Sequence, residues 1–445
     1  MNQLEILILN NRGKRGYLLK LLLKKGRLID PGENIDGLFD LLIAEGKIAE
    51  IKPQLSIEAD SEINLNGLIV SPGLIDLHTH LREPGFESKE TIATGARAAA
   101  RGGFTTICCM PNTNPVNDSP EITSLIKEKA RKEGLVNILP IGAISQGEKG
   151  EHLAISAEMV AAGAVGFSDD GQPVSNARLM KEAMEKGAEL RVPIIDHCEE
   201  KTLTEGGIIN EGRISKMLGL KGIPAAAEEI MVARDIILAK TYGLPVHLAH
   251  ISTKGSVELL RWAKENRVPV SAEVTPHHLL LSEDALLSRD PNYKVNPPLR
   301  TEEDIQAVRR AVKEGWIQVI ATDHAPHTEK EKSLGLERAP FGINGLETAV
   351  PALLDRLVRT GEFSLKLLIM AMSVAPARIL RLSNKGCLRV GADADLTILD
   401  LNRSTTITKE NFQSKSPNTP YLGARFQGAI AMTLVEGKIV YQVKD

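Results

Sequence analysis

LIVSPGLIDLHTHLR, residues Leu68–Arg82, carries a largely apolar run, Leu68 to Leu77, into three polar side chains spaced two apart: His78, His80 and Arg82. A strand over Ile69–Leu81 puts these three on one face. Two imidazoles at the end of a buried strand are suited to a divalent metal, and a guanidinium beside them is suited to an anion. The local pattern thus predicts metal-assisted chemistry on an acidic substrate.

Outward from this stretch, residues 68–361 alternate short apolar runs with amphipathic ones, eight of each. The further strands expected are Phe104–Met110, Asn137–Ile144, Ala164–Ser168, Pro193–Asp196, Pro245–Ala249, Pro269–Val274 and Ile317–Ala321. Most are apolar enough to be buried on both faces, which calls for parallel pairing. Helix boundaries are legible between them. Ser119 precedes Pro120 as an N-cap, Thr301–Asp304 forms a capping box, and Gly134, Gly315 and Gly361 stand at helix stops. Strand followed by helix, eight times, predicts an α/β chain built as a (β/α)8 TIM-type barrel over residues 68–384. No glycine-rich phosphate loop follows the first strand, which disfavours a doubly wound open sheet.

The flanks resemble each other. LLIAEGKIAEI (Leu41–Ile51) and MTLVEGKIVY (Met432–Tyr441) each read as strand, Glu-Gly turn, strand. Residues 17–67 and 385–445 are expected to form one small β domain with a structural job, and residues 1–16 a mobile N-terminal extension.

Lys+Arg 54 against Asp+Glu 57 leaves a net charge of -3, without a basic run interleaved with aromatics, so neither nucleic acid nor a membrane surface is an expected partner. Four cysteines without CxxC spacing argue against a disulfide framework and for a reducing, cytoplasmic setting. No secretory signal and no run of ~18 apolar residues is present.

Barrel enzymes carry their chemistry at the carboxyl ends of the strands. Polar residues gather at those ends here: His78, His80 and Arg82, Asn112, Asp169 and Asp170, His197, His250, then Asp323 and His327. Buried without partners, such groups would cost roughly 1 to 3 kcal/mol each, a cost that metal ligation removes. Four histidines and two carboxylates suit two zinc ions, though spacing does not choose between Asp169 and Asp170. His247 has the opposite strand parity to His250, His277 and His278 stand near the mouth, and His152 reads as a surface residue. Two cations sharing a water bring its pKa towards ~7 and supply hydroxide for attack on an amide. Asp323 is the candidate general base and acid, with Arg82 and Asn112 gripping a substrate carboxylate.

In combination, DLHTHLREPG (Asp76–Gly85), MPNT (Met110–Thr113), FSDDG (Phe167–Gly171), DHCE (Asp196–Glu199), AHIST (Ala249–Thr253), VNPPLR (Val295–Arg300), TDHAPH (Thr322–His327) and APFGINGLET (Ala339–Thr348) resemble the motifs of class I dihydroorotases, from about residue 19 to the C-terminus. The resemblance implies a first zinc on His78, His80 and Asp323, a bridging Asp170, and a second zinc on His197 and His250. It also implies that Arg82, Asn112, Asn296 and His327 contact dihydroorotate or carbamoyl-aspartate, with His80 adjoining and the backbone at Phe341 and Gly342 completing the pocket. The reaction implied is reversible closure of N-carbamoyl-L-aspartate to dihydroorotate and water. Hydantoinases, dihydropyrimidinases and allantoinases share the barrel but usually bridge their metals with a carbamylated lysine, whereas Phe167–Gly171 offers only aspartates. Some family members are non-catalytic partners of aspartate transcarbamoylase and typically lack the ligands; all six stand here. A homo-oligomer and a complex with that transcarbamoylase are the protein partners to be expected.

Overall fold

The computed structural model describes residues 20–133 and 135–443. The N-terminal extension over residues 1–16 and the helix stop expected at Gly134 lie outside the described residues.

Strands β1 (Leu21–Asp30), β2 (Ile35–Ala44), β3 (Lys47–Lys52), β4 (Ser61–Asn64) and β5 (Ile69–Pro72) open the chain. Parallel strands follow, β6 (Leu74–Thr79), β7 (Phe104–Cys109), β8 (Asn137–Pro140) and β9 (Ile195–Asp196), with helices 92–102 and 120–133 among their connections. After a short parallel pair, β10 (Ile209–Asn210) and β11 (Gly222–Ile223), come β12 (Val246–Leu248), β13 (Val270–Val274) and β14 (Val319–Ile320), joined by helices 226–242, 254–265 and 302–313. Finally β15 (Leu396–Thr406), β16 (Arg425–Val435) and β17 (Lys438–Gln442) return to the first strands. One eight-stranded sheet results, in the order β17-β16-β15-β5-β1-β2-β3, with β4 on β1.

Both Glu-Gly turns have the conformation their sequences favour. Glu45 and Gly46 have φ of 55° and 72°, and Glu436 and Gly437 of 47° and 72°, the left-handed pair that suits the twist of a two-residue hairpin. The two turns meet at Ala394, whose N–H donates to the Gly46 carbonyl at 2.9 Å and whose carbonyl accepts from the Gly437 N–H at 2.9 Å. Leu23, Leu28, Ile43, Val70, Ile398 and Leu434 fill the core of this sheet.

A correction concerns the first long strand. The segment Ile69–Leu81 is two strands in different sheets, β5 pairing β1 and β15 while β6 pairs β7. The chain passes between them at Pro72-Gly73, where a side chain on Gly73 would meet Thr105 Oγ1 at 2.1 Å. Proline and a forced glycine mark the crossing, a signal that the continuous apolar run hides. Thr397 fastens the two sheets there, donating to the Gly103 carbonyl at 2.6 Å and accepting from the Leu74 N–H at 3.1 Å.

The parallel strands form two groups, β6-β7-β8 and β14-β13-β12-β9. Ala164–Ser168, expected as a strand, forms bridges at Phe167, with Gly142 on one side and Ile194 on the other, and Thr79 pairs with His324. The capping box at Thr301 and Asp304 is present, and Gly315 with φ of 68° follows the end of that helix. Among the described residues no helix is long and apolar enough to cross a membrane.

Candidate metal and active site

Every candidate ligand stands at or just beyond the carboxyl end of a parallel strand: His78 and His80 at β6, Asp170 after the Phe167 bridge, His197 after β9, His250 after β12 and Asp323 after β14. All six are buried. Three residues of the site, Arg82, His250 and Asp323, have positive φ of 61°, 33° and 47°, a strained backbone for non-glycine residues that aims their side chains off the strand line.

The six converge. His78 Nε2 lies 3.2 Å from Asp170 Oδ1 and 3.7 Å from Asp323 Oδ1, while His80 Nε2 lies 3.1 Å from Asp323 Oδ1 and 3.4 Å from Asp170 Oδ2. Across the cluster, His197 Nδ1 and His250 Nε2 lie 3.4 Å and 3.6 Å from Asp170 Oδ1 and 2.9 Å from each other. Two triads, His78–His80–Asp323 and His78–Asp170–His250, have ligand atoms all within 4.8 Å of one another. Two buried atoms at the centre, His78 Nε2 and Asp170 Oδ1, make no hydrogen bond. A divalent cation satisfies both at once, so the donor set fits a metal. Asp169 points elsewhere, accepting from the Ser145 N–H at 3.0 Å and from its hydroxyl.

The electrostatics follow from crowding four imidazoles around two carboxylates. Burial opposes charge on Asp170, yet His78, His197 and His250 hold its carboxyl well below the usual range. Asp323 is likewise opposed by burial but is brought down to about 2 by His80, His78 and His250. Burial also opposes charge on His197, which Asp170 and Glu199 nevertheless raise to about 9. Both carboxylates, Asp170 and Asp323, are therefore ionised at neutral pH.

A cavity of about 820 Å³ opens above the cluster and is lined by His80, Arg82, Asn112, Asn296, Asp323, His327, Phe341 and Gly342 among others. Asn112 Oδ1 lies 2.9 Å from His80 Nδ1 and its amide donates to the Asp170 carbonyl at 3.3 Å, so it orients two candidate ligands. Arg82 donates through Nε to the Pro326 carbonyl at 3.3 Å, with Nη2 3.3 Å from His327 Nε2. Burial, together with Arg82, Lys89 and Lys332, keeps the His327 imidazole neutral by lowering its pKa. Gly342, with φ of 118°, has no room for a side chain: a Cβ there would meet Ala325 Cβ at 2.7 Å.

Two family models match the chain: a dihydro-orotase-like model over residues 67–256, and an amidohydrolase family model over residues 236–441. A dihydroorotase of Pelotomaculum thermopropionicum is 50% identical over 424 residues, 95% of this chain and 99% of that one. The chain belongs to the dihydroorotase family. Another member, from Syntrophus aciditrophicus, is 48% identical over 95% of this chain and 100% of its own. Beyond the dihydroorotases, the L-hydantoinase (dihydropyrimidinase) of Arthrobacter aurescens superposes with a TM-score of 0.86 at 27% identity, covering 96% of each chain. The D-hydantoinase of a Thermus species gives 0.80 at 26%, covering 96% of this chain and 97% of that one.

Within this dihydroorotase-family site, sequence reasoning passed over Glu273. Its Oε1 lies 2.7 Å from His78 Nδ1 and its Oε2 3.2 Å from His247 Nε2, so it fixes the ring of a candidate ligand and accounts for His247 facing away from the cluster. A lone glutamate near the end of the buried strand VSAEV was the available signal. Glu199, quoted in a motif but given no role, holds His197 Nε2 at 2.9 Å and accepts from Asn296 Nδ2 at 3.0 Å. Glu273→Gln is expected to weaken metal retention by ~10- to 100-fold, measured as metal content after dialysis against graded chelator, since carboxylates that orient histidine ligands carry effects of that size.

Proposed function

We propose that this chain is a metal-dependent cyclic amidohydrolase that interconverts N-carbamoyl-L-aspartate and (S)-dihydroorotate, a step of pyrimidine biosynthesis. One observation carries the reading: a cluster suited to divalent cations shares its cavity with a guanidinium that forms no ion pair among the described residues. Among the described residues no carboxylate lies within ion-pair distance of Arg82, which is left to meet a carboxylate from outside. Relatives at about half identity named dihydroorotase support the same substrate.

The scaffold of this reading is a closed (β/α)8 barrel that starts at Leu74, after the Pro72-Gly73 crossing, and runs to about residue 384, beside a small β domain built from residues 20–72 and 385–443. Backbone bonds across the gaps support the ring: the Phe167 N–H donates to the Pro193 carbonyl at 3.0 Å, and the His80 N–H to the His324 carbonyl at 2.8 Å. Zinc suits four imidazoles and two carboxylates. His78, His80 and Asp323 would hold one ion, His197 and His250 a second, with Asp170 between them. When bound, the ions lower the pKa of a water towards ~7 and polarise the ring carbonyl.

The chain's own residues do the rest. Arg82, Asn112, Asn296 and His327, with the backbone at Phe341 and Gly342, hold the substrate so that its ring amide faces the cluster. As the water oxygen bonds to the carbonyl carbon, Asp323 takes the released proton; as the carbon–nitrogen bond breaks, it gives that proton to the departing nitrogen. Ring closure is the reverse. A cytoplasmic setting, a homo-oligomer and an association with aspartate transcarbamoylase extend the reading on family grounds.

A hydantoinase-like specificity is the rival that the structural neighbours raise, and Arg82 separates the two. Arg82→Met is expected to raise KM for dihydroorotate by ~10²-fold, the size of losing a charge-assisted contact, and to leave hydrolysis of an uncharged hydantoin no worse. A wild-type KM in that variant would favour the rival.

A further inference from the structure

Between β15 and β16 the chain leaves the flanking sheet and packs behind two loops, 325–327 and 341–342, that line the cavity. Three buried side chains at alternate positions, Ser414, Ser416 and Asn418, face groups that stand behind the pocket. Ser414 donates to Glu90, whose Oε2 lies 3.3 Å from His324 Nε2. Ser416 donates to the Lys89 carbonyl at 2.7 Å, and Lys89 Nζ lies 3.3 Å from His327 Nδ1. Asn418 does more than either. Its Oδ1 accepts from the His327 N–H at 3.1 Å, while its Nδ2 donates to the Gly342 carbonyl at 3.2 Å and reaches the Ala325 carbonyl at 3.5 Å.

One amide thus ties together two loops, 325–327 and 341–342, that lie on the same side of the cavity and carry His327 and Gly342. Next to this amide, the Ala325 N–H donates to the carbonyl of Ile343, the residue after the second loop, at 2.8 Å. The strap is itself anchored, because Asn344 donates to the Asn418 carbonyl at 2.8 Å and through Nδ2 to the Ser416 carbonyl at 3.0 Å. A side chain that fixes the spacing of two substrate loops, without facing the metal ligands, controls how tightly the non-reacting part of the substrate is held.

We infer that Asn418 is a positioning residue for recognition of the substrate carboxylate, acting through His327 and Gly342. The inference rests on the reading of the cavity as the dihydroorotate site. Contacts to the non-reacting carboxylate persist from ground state to transition state, so their loss falls on KM rather than on kcat.

Asn418→Ala and Asn418→Asp test it, assayed beside the wild type in the zinc-loaded full chain. The aspartate keeps the acceptor for the His327 N–H but loses the donor to the Gly342 carbonyl. Both are expected to raise KM for dihydroorotate by roughly tenfold or more, with kcat within about threefold and metal content unchanged. Folded variants with wild-type KM, or with reduced kcat at wild-type KM, overturn the inference while leaving the proposed function intact. Failure of both variants to fold assigns Asn418 to stability alone and overturns it too. A wild type that does not turn over dihydroorotate removes the proposed function, and the inference with it.

Discussion

Asp323→Ala is expected to lower kcat for dihydroorotate hydrolysis by about 10³-fold or more, with the chain still folded. Loss of a positioned proton carrier alone is worth ~10²- to 10⁴-fold. In the proposed reaction Asp323 combines that role with a place beside His78 and His80, at 3.7 Å and 3.1 Å from their Nε2 atoms. Its backbone, held at φ of 47°, leaves little freedom for another residue to substitute. Asp323→Asn separates the two roles, because the amide keeps an oxygen ligand but accepts no proton. It should retain more metal than the alanine variant and remain nearly as inactive. Steady-state kinetics with metal analysis reads both, and near-normal turnover in either variant would remove Asp323 from the chemistry.

Asp170→Ala carries the second large effect. Its carboxylate lies within 3.6 Å of His78, His80, His197 and His250 alike, so its removal leaves four imidazoles without the anion that draws them together. Metal content is expected to fall below one ion per chain at micromolar free zinc, and turnover by at least ~10³-fold, since the cations supply several kcal/mol of transition-state stabilisation. Asp169→Ala makes the matching control. That carboxylate serves the Ser145 loop, so the change should leave metal content intact and act mainly on stability.

How much of this was legible in the sequence depended on the range of the interaction. His78, His80, His197, His250 and Asp323 follow apolar strands directly, and strand-end placement on a parallel sheet determines which way they converge. Asp169 and Asp170 share one turn, so spacing could not separate them; the separation comes from Ser145, 24 residues away, which occupies one and leaves the other to the imidazoles. Glu273 was missed because strand β13 offered no residue of the expected ligand pattern, and its partner His78 is 195 residues distant. Asn418 left no hydropathy signal, since it acts from a segment without regular structure upon His327, 91 residues earlier. The break at Pro72-Gly73 was hidden by apolar residues on both sides, since burial in either of two sheets produces the same composition.

The most direct measurement is dihydroorotate hydrolysis by the purified full chain, stripped with a chelator and then titrated with zinc while bound metal is counted. No turnover is expected in the stripped protein, with recovery that rises with zinc to a plateau at two ions per chain. Full activity in metal-free protein, or a plateau of bound zinc without any hydrolysis of dihydroorotate, would contradict the proposed function.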